Sequence, residues 1–369
     1  MRKFFIVLCC IASLSSVCHS AEQREINLSY GNLLSNVKVS KFSFNPQKGE
    51  EININFNLSK DAIVEINIYD PDFGLIRTLK KDFSDSGEHK IVWDGKDMDG
   101  KVVPDEAYFF TILADDKNGN KEFYDPTGFS GGEEFDITKA DINLEAGTII
   151  YRLPQMGRVA IRMGIQGGSL LNQLVDWRPR VAGEITEYWN GKDKDNLIDL
   201  YNHPRFKMVI VYFTLPENSI ISYGNTNMDY REYKQSVSGR PVKEKKEHTN
   251  TKISRHYPIP RTKDYSPQLT MSFSNIQDVD KQGIPILKEK TLVKVELNER
   301  DKKIFANEQY EVAFFLDTEF YAEEEVGYSP YNWVWDLSQI KEGEHVLTVN
   351  LSSFKDQIGI LSKKVRVIK

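Results

Sequence analysis

Apolar and polar residues alternate along much of the chain. Ile52, Ile54, Phe56 and Leu58 recur at period two with polar residues between them, as a half-buried strand requires. Ser59-Lys60-Asp61 turns the chain, and Val64, Ile66 and Ile68 resume the alternation. Pro71-Asp72-Phe73-Gly74 is a turn signal, followed by a short strand over 75–79. Ile91 and Trp93 carry the next strand into an acidic turn, and Tyr108, Phe110 and Ile112 lie on a closing strand after Pro104. Residues 22–43 are weakly patterned and read as a leading arm or an edge strand. Short strands at this spacing, with no helical period, predict a β-sandwich.

The pattern then repeats. Ile149, Tyr151 and Leu153 match Ile54, Phe56 and Leu58 at an offset of 95, and Val159, Ile161 and Met163 match Val64, Ile66 and Ile68 at the same offset. The thirteen residues from Gly87 match those from Gly183 at an offset of 96, seven of them identical. A period of this length predicts a second copy of one β module. The copies diverge after Trp189, where an excursion over 196–207 precedes a closing strand over 208–215. The Gly-, Asp- and Asn-rich stretch 117–134 reads as a linker or long loop. A third β module is expected over 269–369, from alternation at Val312, Phe314 and Leu316, at Trp333 and Trp335, and at Val365 and Val367.

Residues 217–268 lack periodicity and carry the run Lys243-Glu244-Lys245-Lys246-Glu247. Such a stretch is unusual inside a compact domain. It reads as a solvated linker, or as an arm laid on a partner. Tyr223, Tyr230, Tyr233, Tyr257 and Tyr265 are the partner-binding candidates of the arm, since flexible linkers carry few aromatics.

Composition fits soluble globular domains: 40% of the 369 residues are hydrophobic and 28% charged. A formal charge of −6 without a basic field argues against nucleic-acid binding. Residues 1–20 read as a signal peptide: Arg2 and Lys3, then an apolar run too short to span a bilayer, then Ser20 and Ala21 at the cleavage site. No other stretch reads as transmembrane. All three cysteines (Cys9, Cys10, Cys18) lie in that segment, so a processed chain has no disulfide, thiol nucleophile or cysteine metal site. Cys18 is preceded by Val17, where lipid attachment usually needs a small residue.

Asp94, Asp97 and Asp99 put three carboxylates in one turn. That turn is a calcium candidate, set against the plain need of hairpins for Asp-Gly turns. Trp93, Trp189 and Trp335 sit where a sandwich needs core residues, though they could serve as sugar platforms. Trp177 and Trp333 are expected to be more exposed. His89 and His345 share a Gly-Glu-His setting that suggests a structural role, while His203 and His256 are isolated. The acidic run Glu323-Glu324-Glu325, with Asp317 and Glu319, reads as a solvated loop more than as a carboxylate pair. The sequence contains no metalloprotease helix, nucleophile elbow or phosphate-binding glycine loop.

Specific residues carry a resemblance. They are Asn45-Pro46, Gly49-Glu50, Ile68-Tyr69-Asp70, Ile76-Arg77-Thr78-Leu79, Gly87, Trp93-Asp94-Gly95-Lys96-Asp97, Gly100 and Val103-Pro104. This pattern resembles the immunoglobulin-like domain of the flagellar hook-capping protein family. It covers 42–116 well and the second module (141–216) as a worn copy, departing at Glu106-Ala107-Tyr108. The third module is similar to bacterial Ig-like domains appended to surface proteins and glycoside hydrolases, through residues 330–336 and 343–347. The resemblance implies an all-β chain of tandem immunoglobulin-like β-sandwiches in a bacterial envelope setting. The expected function is an exported, non-catalytic binding or scaffolding subunit of a periplasmic or cell-surface assembly, with other envelope or extracellular proteins as partners. The alternative is a carbohydrate-binding or adhesin-like surface protein, with a glycan as ligand.

Overall fold

The computed structural model describes residues 32–243 and 265–369. The expected signal segment, Tyr257 and His256 lie outside the described residues. The chain is all-β, with three sandwiches and three separate apolar cores.

In the first module a three-stranded sheet orders Leu34–Val39, Ile52–Leu58 and Gly87–Trp93. It faces a larger sheet in which Glu106–Asp115 pairs Ala62–Tyr69, and Ala62–Tyr69 pairs Leu75–Phe83. The alternation read from sequence is the burial pattern: Ile52, Ile54, Phe56 and Leu58 are all buried, and the residues between them are half exposed. Leu34–Val39 is an edge strand. The amides of Leu33 and Leu34 donate to Glu122 Oε2 at 2.8 and 2.9 Å, which fixes where it starts. The stretch 117–134 holds more than a loop. Lys121–Tyr124 folds back on Glu106–Asp115. Asp116 organises the turn between them by accepting the amides of Asn118 and Asn120.

The second module pairs Ala140–Asn143, Thr148–Leu153 and Gly183–Tyr188 in one sheet. The other runs Leu170–Arg180, Gly157–Ile165, Phe206–Thr214 and Glu134–Asp136. The third has a small sheet of Leu269–Phe273, Lys290–Leu297 and Tyr331–Asp336. Its six-stranded partner runs Asp278–Val279, Pro285–Lys288, Ile358–Ile368, Gly343–Ser353, Tyr310–Leu316 and Glu319–Glu324.

The segment after the second module does not lead straight to the third. Ser219–Ser222 returns to the first module and inserts between Ser43–Phe44 and Glu106–Asp115, parallel to the former and antiparallel to the latter. Ile220 joins the first core and is fully buried. The second module is therefore inserted within the chain of the first. The described part of 217–268 corrects the linker reading, because two of its peptide ladders and a helix belong to the first sandwich.

Candidate interaction surfaces

The acidic turn is built by Trp93 and Gly95. Trp93 is buried in the core and donates its indole N–H to Lys96 O at 3.0 Å. Gly95 has φ +70, and a Cβ there would lie 2.4 Å from Pro46 Cβ, so the backbone passes too close for any other residue. Asp97 Oδ1 accepts the amides of Asp99 and Lys101 at 3.0 and 2.9 Å. This is an Asx turn that leaves Asp97 Oδ2 available to other donors.

That oxygen is met by the returning arm. Asp229 caps the helix Tyr230–Ser236 by accepting the amides of Arg231 and Glu232. The helix puts Tyr233 on the sandwich, where its hydroxyl donates to Asp97 Oδ2 at 3.1 Å. Arg240 Nη2 donates to the same oxygen at 3.0 Å and to Asp99 Oδ2 at 2.5 Å. Burial pushes the Asp97 carboxyl up, but the Lys101 amide and Arg240 outweigh it and hold it below the usual carboxylate range. A guanidinium lies at the turn that was the calcium candidate. Among the described residues, no group of three or more His, Asp or Glu side chains is arranged to hold a metal ion.

The same helix grips a second carboxylate. Asp70 accepts the amides of Asp72 and Gly74 at 2.9 Å and receives Lys234 Nζ at 2.6 Å. Desolvation dominates there and pushes the Asp70 carboxyl above its ordinary value, although Lys234 acts in the opposite direction.

The arm tyrosines consequently separate. Tyr230 and Tyr233 are buried on their own chain, with Tyr230 donating to Asp72 Oδ2 at 3.0 Å. This corrects their assignment to a partner: each hydroxyl already has an internal carboxylate. Tyr223 is exposed at the surface. Tyr265 is half-buried, with the Arg231 guanidinium 3.4 Å from its ring centroid and Arg300 at 5.7 Å. The sequence missed Lys234 and Arg240. The Asp229-to-Glu232 spacing was a legible helix-start signal for the element that carries Lys234.

The second module repeats the start of the turn and differs at its aspartate. Trp189 donates to Lys192 O at 2.8 Å, Asn190 Oδ1 accepts the Lys192 amide at 3.0 Å, and Gly191 has φ +83. Asp193 Oδ1 accepts the amides of Leu197 and Ile198. Among the described residues no arm reaches it, and its buried Oδ2 has no hydrogen-bond partner. Trp335 is buried as expected, but Trp177 is buried too, against Ala160 and Phe213. Trp177 has φ +46, on a strand whose pairing with Gly157–Ile165 is interrupted by bulges that the alternation could not reveal.

The histidines take structural roles. His89 Nε2 lies 3.0 Å from Asp85 O and His345 Nε2 lies 2.8 Å from Lys341 O, the same four-residue reach at the start of a strand. His203 Nδ1 accepts the Arg205 amide. In the acidic region, Glu319 pairs with Arg205, and Asp317 Oδ2 lies 2.6 Å from His345 Nδ1.

Polar contacts join the modules. Arg158 of the second pairs with Glu106 of the first at 2.6 Å, with both side chains almost fully buried. Leu170 N donates to Asn350 Oδ1 at 2.9 Å, and Asn350 Nδ2 returns a bond to Leu170 O at 2.8 Å. Ser362 N donates to Asp195 Oδ2 at 2.6 Å. Gly168 leaves no room for a Cβ, which would lie 2.5 Å from Thr318 O. Arg300 of the third module reaches Asp229 at the start of the arm helix, at 3.3 Å.

Residues 41–118 match a protein-family model described as the FlgD Ig-like domain. No curated protein matches the chain. Among solved structures, the fibronectin(III)-like modules of CbhA from Clostridium thermocellum are 12% identical over 90% of this chain and 94% of that one, with a TM-score of 0.19. A structure from a 1.5-MDa bacterial ice-binding adhesin is 11% identical over 92% and 99%, with a TM-score of 0.18. The tetra-tandem repeat of a large adhesion protein is 11% identical over 91% and 74%, with a TM-score of 0.19. No helix among the described residues is long and apolar enough to cross a membrane.

Proposed function

We propose that the protein is an exported, non-catalytic binding or scaffolding subunit of a periplasmic or cell-surface protein assembly. The observation that carries this reading is the fixed frame. The first and second modules are joined by the buried Glu106–Arg158 pair, the second and third by the reciprocal Leu170–Asn350 bonds, and the first and third by an exposed Asp229–Arg300 contact. A chain that served only as a flexible spacer would gain nothing from such contacts, whereas a docking subunit gains preorganisation. Export rests on the sequence of residues 1–20. The repeated Trp–Gly–Lys–Asp turn, with the same indole bond to the lysine carbonyl and the same bond from the lysine amide, supports the second module as a duplicated copy of the first.

The sugar-binding alternative needs open aromatic faces. Trp93 and Trp335 are fully buried, and Trp333 lies between Phe314, at 4.5 Å, and Trp335, at 5.7 Å. The decisive experiment is crosslinking in the native envelope followed by mass spectrometry. Stoichiometric protein partners are expected. A protein recovered alone but retained on polysaccharide would replace this reading with the glycan one.

A further inference from the structure

The third sandwich has one open side. Glu319–Glu324 is the last strand of the large sheet and pairs only with Tyr310–Leu316 among the described residues. Tyr331–Asp336 is the last strand of the small sheet and pairs only with Lys290–Leu297. Both edges lie on the same side of the sandwich, because Tyr321 meets Trp333 at 5.7 Å across the gap between the sheets. The loop joining them is held in place. Gly327 N donates to Tyr310 O at 2.7 Å, and Ser329 Oγ accepts the Leu297 amide at 2.9 Å.

This side is apolar at its rim. Val326 is 75% exposed and Tyr328 54%, wet hydrophobics on the loop that joins two unpaired ladders. Such edges invite strand addition unless something discriminates between partners. Here the discriminator is charge. Carboxylates elsewhere in this module have a cation, Arg366 for Glu344, Lys294 for Glu296 and Lys355 for Glu308, and on the edge strand itself Glu319 has Arg205. Glu311, Glu323 and Glu325 have none among the described residues. Burial and the charges of Glu323 and Glu325 push the Glu311 carboxyl above its usual range. A second copy of the same edge would bring glutamates against glutamates. A cationic strand would instead relieve the crowding.

We propose that the edge Glu319–Glu324 is a docking site for an extended, basic segment of a partner protein, which adds as a strand and sets Lys or Arg against Glu311, Glu323 and Glu325. The inference rests on the binding role proposed above and assigns it a surface. Backbone pairing gives the affinity, the glutamates select the partner, and Val326 and Tyr328 offer apolar contact beside the edge.

The test uses the full purified chain and a short synthetic peptide alternating Lys and Val, labelled for fluorescence anisotropy. Binding is expected to weaken as salt rises, and to fall at least about tenfold in the triple variant E311Q/E323Q/E325Q. These three side chains are at least partly exposed, so the variant should fold, and its melting curve checks that. Amide exchange should slow over 319–324 when the peptide is present. Equal binding of a Glu–Val peptide, an unchanged affinity in the triple variant, or protection confined to other strands would overturn the proposal. Concentration-dependent dimerisation abolished by V326K would make the occupant a second copy and overturn it as well. Failure here, with protein partners still crosslinked in the envelope, would remove this surface but leave the docking role standing.

Discussion

At the scale of single residues, the strongest organising contact is the one around Asp97. Its four acceptor positions are taken by two amides, a tyrosine hydroxyl and a guanidinium. Replacing Arg240 by Ala should cost about 2 kcal/mol, since it removes a charge-assisted bond to a buried carboxylate. Urea unfolding of the variant measures this. The sign with pH follows from a folded value held below the ordinary aspartate value of 3.8. Arg240 contributes stability above that pH and loses it as pH falls through the folded value. The difference between the unaltered protein and R240A should therefore shrink on acidification. Excess calcium or chelator should leave the melting temperature of the unaltered protein unchanged; a rise with calcium would mean that the cation displaces Arg240. His345 runs the other way. Although burial lowers its affinity for a proton, Asp317 and the Lys341 carbonyl raise its folded value above 6.5. Its contribution is full below pH 6.5 and is lost as pH rises through the folded value. A melting profile from acid to mildly alkaline pH should show that limb in the unaltered protein and not in H345A.

At the scale of elements, the returning strand Ser219–Ser222 is the test case. Ile221 N donates to Phe42 O at 2.8 Å, and Ile220 fills the first core. Pro at Ile221 removes that donor from the middle of a sheet and should destabilise the first module by about 3 kcal/mol or more. Limited proteolysis would then open 217–243 before it opens the third module. If the cleavage pattern stayed unchanged, the strand would not be part of the first sandwich's cooperative unit. The sequence failed here for a definite reason. Ser219-Ile220-Ile221-Ser222 offers only two apolar residues in a row, too few to show a period, and strand partners are not encoded in a strand's own alternation. The long strands were legible because Ile52–Leu58 and Ala62–Tyr69 each bury every second residue.

For the whole molecule, the junctions decide whether three sandwiches behave as one body. Glu106→Ala takes the carboxylate from a guanidinium that is only 4% exposed and should cost about 3–5 kcal/mol. Asn350→Ala deletes two reciprocal bonds to Leu170, worth about 1 kcal/mol each. It should leave each core intact while the second and third modules separate. Small-angle scattering would register this as a larger radius of gyration with an unchanged near-ultraviolet circular dichroism spectrum. A chain that kept its dimensions would show that the Ser362–Asp195 and Arg162–Asp356 contacts suffice. By itself the sequence determined the all-β class, three apolar cores, and the Trp-to-Asp turn in both of its copies. These follow from period-two burial and local turn chemistry, which act over a few residues. Tertiary structure alone decided that the second module interrupts the first, that Arg240 meets Asp97, and that Tyr230 and Tyr233 face inward. Those outcomes join residues more than a hundred positions apart, and a pairing over that distance is set by which surfaces bury each other's polar groups.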